Sequence, residues 1–220
     1  MSLSRNAITA GLIMIVLTIL LGIAYPLVVT GVSQVAFPGN ANGQKVYVGG
    51  QLIGSKIIGQ NFADQVVKNG KPQVDKSGNP VTSPDPRYFQ TRPSATVPAD
   101  NDAATTFSNL GPNNKTTAEE ITANIQAYLQ LNKPYDPSLT KATVPVDAAD
   151  SSASGVDPDI SQANAWIQAH RVAAVKHIPL PAVMSLIAKY TVGRSLGIFG
   201  EPSVDVLELN LALDRMRGGH

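Results

Sequence analysis

The 220-residue sequence contains no cysteine. Disulfides, thiolate nucleophiles and cysteine-ligated zinc or iron–sulfur centres are therefore excluded. Aromatic residues make up 5% with a single tryptophan, and charged residues only 15%. Charge of one sign is not in excess either: 17 Lys and Arg against 16 Asp and Glu leave +1. A nucleic-acid binder needs a basic surplus to neutralise phosphates, so no nucleic-acid partner is expected. Charge is scarcest near the start. Arg5 is the sole charged side chain before residue 31, and the next basic residue is Lys45.

Ala7 to Thr30 form 24 consecutive uncharged residues, mostly Leu, Ile, Val, Ala and Gly. A helix of that length spans roughly 36 Å, enough for a ~30 Å hydrocarbon core with tilt. A lone segment crosses lipid only as a helix, which satisfies its own backbone. The basic bias places residues 1–6 in the cytoplasm, 7–30 across the plasma (inner) membrane and 31–220 outside. Tyr25 fits the outer interface, with Pro26 near a helix end. A cleaved signal peptide is the alternative, with Gly22-Ile23-Ala24 as a small-x-small site. Cleavage there would leave proline just after the cut, and the apolar run continues beyond it, so a retained anchor is the reading taken. Gly11, Thr18 and Gly22 fall on one helical face with Ser4 and Ala7. Such small residues let a second helix approach closely.

The remaining residues suffice for one core. Val46–Val48 and Leu52-Ile53 read as a hairpin around Gly49-Gly50. Residues 68–87, rich in Pro, Gly and charge, and 134–157, rich in Pro, Ala and Asp, read as loops. Thr116 to Glu120 read as a doubled capping box before a helix with Ile121, Ile125, Tyr128 and Leu129 on one face. Ser161 caps a helix to about Lys176 with Ile167, His170 and Ala174 inward, broken by Pro179-Leu180-Pro181. Another helix reaches Tyr190 with Val183, Leu186 and Ile187 inward, and Val204–Leu209 reads as a strand. The fold class is mixed α/β (α+β), anchored by one N-terminal transmembrane helix.

Autonomous chemistry is hard to find. Gly49 to Gly54 has the glycine spacing of a phosphate loop, but Ser55-Lys56 reverses the required Lys-Ser order. His170 and His177 stand seven apart rather than at the metal-binding i,i+4 spacing, and His220 is terminal. No Gly-x-Ser-x-Gly elbow is present. Ser152 and Ser154 fit turns. Glu119-Glu120 sit on a first helical turn, where they complement the dipole. Asp157, Asp159, Glu201 and Asp205 form a candidate cation-attracting or partner-facing surface, against the plainer reading of solvated loop charges.

Several strings carry a family resemblance. They are Gly54–Phe62 (GSKIIGQNF), Tyr88–Ala95 (YFQTRPSA), Ser108–Asn113 (SNLGPN) and Ser152–Ser161 (SASGVDPDIS), with Arg171-Val172-Ala173 behind and Gly200–Asp214 (GEPSVDVLELNLALD) at the end. In this order, behind one apolar span, they resemble the C subunit of the bacterial Kdp high-affinity potassium-transporting ATPase. Asp205 stands where the resemblance leads one to expect asparagine, and residues 68–82 look like an insertion. The resemblance implies an accessory, non-hydrolysing subunit that supports assembly and activity. A channel-like subunit would carry potassium, and a P-type ATPase subunit would hydrolyse ATP. The chain would have no cofactor of its own. The resemblance also implies a catalytic-chaperone role that raises ATP affinity, for which Gln168 and Arg171 are the candidate nucleotide contacts. Direct contact conflicts with a domain outside the cell, because ATP is inside. Two other classes stay open: a single-pass ligand-binding or sensor module, and a hydrolase secreted after cleavage.

Overall fold

The computed structural model describes residues 3–101, 103–104 and 109–217. Ser108 and His220, named above, lie outside the described residues, as do Met1 and Ser2. The chain divides into two units, Met1–Ser55 and Lys56–His220. The hairpin at 45–55 clusters with the apolar helix rather than with the residues that follow.

In the first unit, α1 (Leu3–Ile19), a π-helical turn (Leu20–Ala24) and α2 (Tyr25–Ala36) make one helix of 34 residues. Its length, about 51 Å, exceeds the expected 7–30 span at both ends. Pro26 lies inside this helix, not near its end. The cause of the π turn is local: proline has no N–H to give, and its ring would press on the carbonyl four residues back. The turn opens, and Tyr25 N–H bonds to the Leu20 carbonyl five residues earlier. Phe37 leaves the helix at φ −138°, and Pro38 starts the single turn α3 (Pro38–Ala41). The strands β1 (Lys45–Val48) and β2 (Gln51–Ser55) pair antiparallel across Gly49 and Gly50. Both glycines have positive φ, +57° and +83°, which a tight two-residue hairpin loop demands.

The second unit opens with exposed two-stranded pieces. β3 (Ala63–Gln65) pairs with the later β6 (Thr82–Pro84), and β4 (Val67–Lys68) pairs with β5 (Lys71–Pro72). The expected loop at 68–87 lies at the surface nearly throughout, although it holds β5 and β6, and only its Asp85 turns inward. Asp85 is buried, and Phe89 is fully so. The helix α4 (Lys115–Asn132) is capped by Asn114, whose Oδ1 accepts from Thr116 N–H at 2.8 Å. The cap thus precedes the expected Thr116–Glu120 box, and Glu119 pairs with Lys115 instead. The segment read as the loop 134–157 holds a 3₁₀ turn (Lys141–Thr143), α5 (Val146–Ala149) and buried Leu139, Ala148 and Ala149.

Then follow β7 (Asp159–Ser161), α6 (Gln162–Lys176), α7 (Leu180–Lys189), β8 (Thr191–Val192), β9 (Ser203–Asp205) and α8 (Val206–Arg217). The antiparallel sheet has the order β7-β9-β8. Ser161 caps α6 as expected, accepting from Asn164 N–H at 3.1 Å. His177 ends that helix in the left-handed region. The buried face of α6 carries Ala165, Gln168, Ala169, Arg171, Val172 and Lys176, whereas Ala174 is exposed and Ile167 and His170 are only half-buried. An apolar count misplaces this face because Gln168 and Arg171 bury themselves by bonding to residues 86–90, and Lys176 by bonding to Asp214. The expected strand at Val204–Leu209 ends at Asp205. Asp205 Oδ1 accepts from Glu208 N–H at 2.7 Å, and that cap starts α8. The core joins Phe89, Ile160, Val172, Val183, Val204 and Leu213 across these elements.

Candidate functional site

Among the described residues, Tyr88–Gln90 has no strand partner, and side chains take the place of one. Asn210 of α8 accepts from Phe89 N–H at 2.9 Å and donates to its carbonyl at 3.0 Å. Gln168 of α6 does the same for Gln90, at 2.8 and 3.0 Å. Each amide imitates one backbone unit of a neighbouring strand, because it carries one acceptor and one donor side by side. Buried backbone groups need such partners.

Arg171 completes the clasp. Its Nε donates to the Pro86 carbonyl at 3.1 Å, Nη1 to Asn132 Oδ1 at 2.6 Å, and Nη2 to the Tyr88 carbonyl at 2.7 Å and Gln168 Oε1 at 3.0 Å. Among the described residues, no carboxylate touches it. Burial pushes its pKa down to about 10, which still leaves the guanidinium charged at neutral pH. Lys176, its ammonium buried, bonds to Asp214 at 2.6 Å and lies 4.2 Å from the centre of the Tyr88 ring.

A cavity of about 250 Å³ opens beside this clasp, between α4 and the 90–100 segment. Gln168, Gln90, Asn132, Tyr128 and Asp100 contribute to its walls. Tyr128 donates to Asn164 Oδ1 at 2.8 Å, and burial raises its pKa. Burial pushes Asp100 up to about 6, with the Asp157 charge adding to the rise against a 3.0 Å bond from Thr91. Gly59 packs here so closely that a Cβ would stand 2.7 Å from the Asp157 carbonyl oxygen.

The sequence-picked acids are partly brought together. Asp159 and Asp205 face each other across β7 and β9. Burial raises both, Asp205 to about 6. Asp159 accepts from Ser203 Oγ at 2.7 Å, and Asp157 pairs with Arg92 at 3.3 Å. Glu201 stands in a separate exposed loop, paired with Arg194 at 2.7 Å. Among the described residues, no three His, Asp or Glu side chains converge as a metal set. Ser152 accepts from Gly155 N–H at 3.0 Å, which is a turn role. Gly11 has open space around it, and Gly22 meets only Thr18 of the same helix, at 4.0 Å.

Gln168 and Arg171 therefore lie together, buried, with their polar atoms engaged within the chain. The sequence reading missed Asn132, Asn164 and Asn210. The signal for Asn210 was present: an amide set among leucines in Leu207–Leu213.

Residues 7–215 match the family model described as KdpC, the c chain of K+-transporting ATPase. The chain belongs to that family. The potassium-transporting ATPase KdpC subunit of Methylococcus capsulatus is 42% identical over 207 residues, covering 94% of this chain and 95% of that protein. The subunit of the same name from Ralstonia nicotianae is 42% identical over 202 residues, covering 91% and 86%. That of Herpetosiphon aurantiacus is 42% identical over 204 residues, covering 92% of each. The family match spans the membrane-length helix, the clasped 85–90 segment and α8 alike.

Proposed function

We propose that this family member is the accessory, non-hydrolysing subunit of an ATP-driven potassium import complex. The observation that carries this is the KdpC match over residues 7–215, running from the one helix among the described residues that is long and apolar enough to cross a membrane through the fold that follows it. Its partners are a potassium-channel-like subunit and a P-type ATPase subunit, which handle potassium and ATP; the chain needs no cofactor of its own. It is held in the inner membrane by the helix, with its N-terminus in the cytoplasm and its folded domain outside, a reading supported by the lone Arg5 before the span. The catalytic-chaperone role follows the same reading. A subunit that binds one conformation of the hydrolysing partner preferentially shifts that partner's equilibrium, and so its ATP affinity, without touching nucleotide. Gln168 and Arg171 enter as the residues that hold the 85–90 segment; a nucleotide bonding to them directly would have to displace Gln90, Tyr88 and Pro86.

Deleting the gene for this chain tests the reading. Growth at low potassium should fail, and the two larger subunits should no longer purify as an active complex. Full uptake without it would overturn the proposal. A reporter fused to the carboxyl end should be active only outside the cytoplasm. Intact-mass measurement should give the uncleaved chain, whereas a product beginning at Tyr25 would favour a secreted protein.

A further inference from the structure

We infer that the tip of the β8–β9 loop, Leu196, Ile198 and Phe199, is an anchor that inserts into an apolar pocket of another subunit of the transport complex. These side chains are 89%, 69% and 62% exposed. The loop presenting them is nevertheless held in one shape. Ser195 and Phe199 exchange backbone bonds at 2.8 and 2.9 Å, and Gly197 N–H reaches the Arg194 carbonyl at 3.0 Å. Leu196 sits at φ +54°, a region that favours glycine. A leucine there is strained, and a strained residue at a fully exposed position points to a role outside the fold. A rigid apolar knob loses little entropy when it enters a pocket, which is what interface anchors need.

Charge and area select the occupant. Arg194 and Glu201 neutralise each other at the base of the loop through a two-oxygen contact at 2.7 and 2.8 Å. The tip therefore offers no spare cation to anionic lipid headgroups, which weakens the case for a membrane surface. The three side chains present roughly 400 Å² at most, about half of the ~800 Å² per partner that a stable freestanding interface buries. That is too little to hold a second copy of this chain. It suffices as a second contact to a partner already held through the membrane helix, because tethering raises the local concentration of the two surfaces. This inference rests on the proposed function.

The test uses the whole complex. A tagged chain carrying Leu196→Asp and Phe199→Asp should bring down at least about tenfold less of the other subunits than the unaltered chain, with its own thermal unfolding unchanged in detergent. The absence of native cysteine makes Leu196→Cys a unique labelling site. An environment-sensitive fluorophore there should be shielded from an aqueous quencher in the assembled complex, and exposed when the chain alone is placed in vesicles of neutral or anionic lipid. Undiminished recovery by the double variant together with a quenchable label would overturn the inference. Shielding in vesicles without the other subunits would assign the tip to lipid. Shielding that grows with the concentration of the isolated chain would assign it to a second copy; either outcome overturns the inference. If the unaltered chain brings down no other subunit, the proposed function fails as well. If it does and the double variant matches it, the tip alone is refuted. Should the double variant unfold, the labelling result decides.

Discussion

Arg171 is fully buried, yet no carboxylate among the described residues neutralises it; four carbonyl or amide oxygens share its charge. Its planar fork is what makes this possible, and a lysine would offer donors in the wrong geometry. Arg171→Leu should lower stability by about 3 kcal/mol or more, since several buried acceptors would be left unpaired. Arg171→Lys should recover only a minor part. Thermal unfolding of the full chain in detergent reads both, with an expected drop of roughly 6 °C or more for a protein of this size. Asp205 gives a second residue-scale prediction. Burial raises its pKa from 3.8 to about 6, helped by Glu208 and Asp159 and opposed by its bond from Glu208 N–H and by Lys56. Between those two values the folded state holds a proton that the unfolded state has released. Stability therefore falls as pH rises from about 4 to about 6, and the charged form stays penalised above that. Asparagine at this position keeps an oxygen for the Glu208 N–H and carries no charge to bury. Asp205→Asn should stabilise the chain at pH 7.5, on the order of 1–3 kcal/mol, and flatten the slope above pH 4 to the share left by Asp100 and Asp159. Equal slopes in urea titrations at several pH values would refute this.

At the scale of elements, caps explain most of what the sequence disclosed and where it misled. Ser161 was legible because it directly precedes a helical pattern. It has a second job that no spacing reveals: its hydroxyl and N–H both bond to Asp147 at 2.8 Å, tying α5 to the start of α6. Asn114 caps an exposed helix start and makes one bond. Ser161→Ala should therefore cost about 1–2 kcal/mol and Asn114→Ala about 0.5–1, as measured by denaturant unfolding. The strand expected over Val204–Leu209 rests on its Val and Leu content, whereas its polar residues, Asp205 and Glu208, stand three apart, a helical spacing. Asp205 settles the boundary by capping three residues ahead, and α8 then presents Leu209, Asn210 and Leu213 to the interior. In the membrane helix, the face bearing Gly11, Thr18 and Gly22 has room for added bulk within the chain itself. Gly11→Leu with Gly22→Leu should leave the chain's own folding intact and reduce co-purification of the larger subunits several-fold. Unchanged yield of the complex would remove that face from the interface.

For the whole molecule, two features of different physical origin are joined in one chain: a helix whose 34 residues suit lipid, and a domain built around a polar clasp. The clasp makes the domain specific rather than merely compact, because apolar packing alone cannot fix where the carbonyls of residues 86–90 go. The loop tip at 196–199 is the counterpart outside the core, an apolar group left in water by the fold. If the domain, the tip and the membrane helix all engage the same neighbours, a disturbance at any one should weaken the assembly less than deletion of the chain. Potassium uptake of the Gly11/Gly22, Leu196/Phe199 and deletion strains, compared side by side, should rank in that order of severity, with deletion worst.

The sequence by itself determined the membrane-length helix, the Gly49-Gly50 hairpin, the cap and span of α6, and the family. Each depends on a local run, a turn residue or an ordered set of short strings, all written along the chain. Only the tertiary structure decided that Gln168, Arg171 and Asn210 are interior residues, that Phe89 joins the core, and that Leu196 is held out in solvent. The interior placements follow from pairing between groups 78 to 121 positions apart, as when Gln168 meets Gln90 and Asn210 meets Phe89. A polar side chain is buried when distant backbone offers it partners, and no local period records where that backbone will arrive.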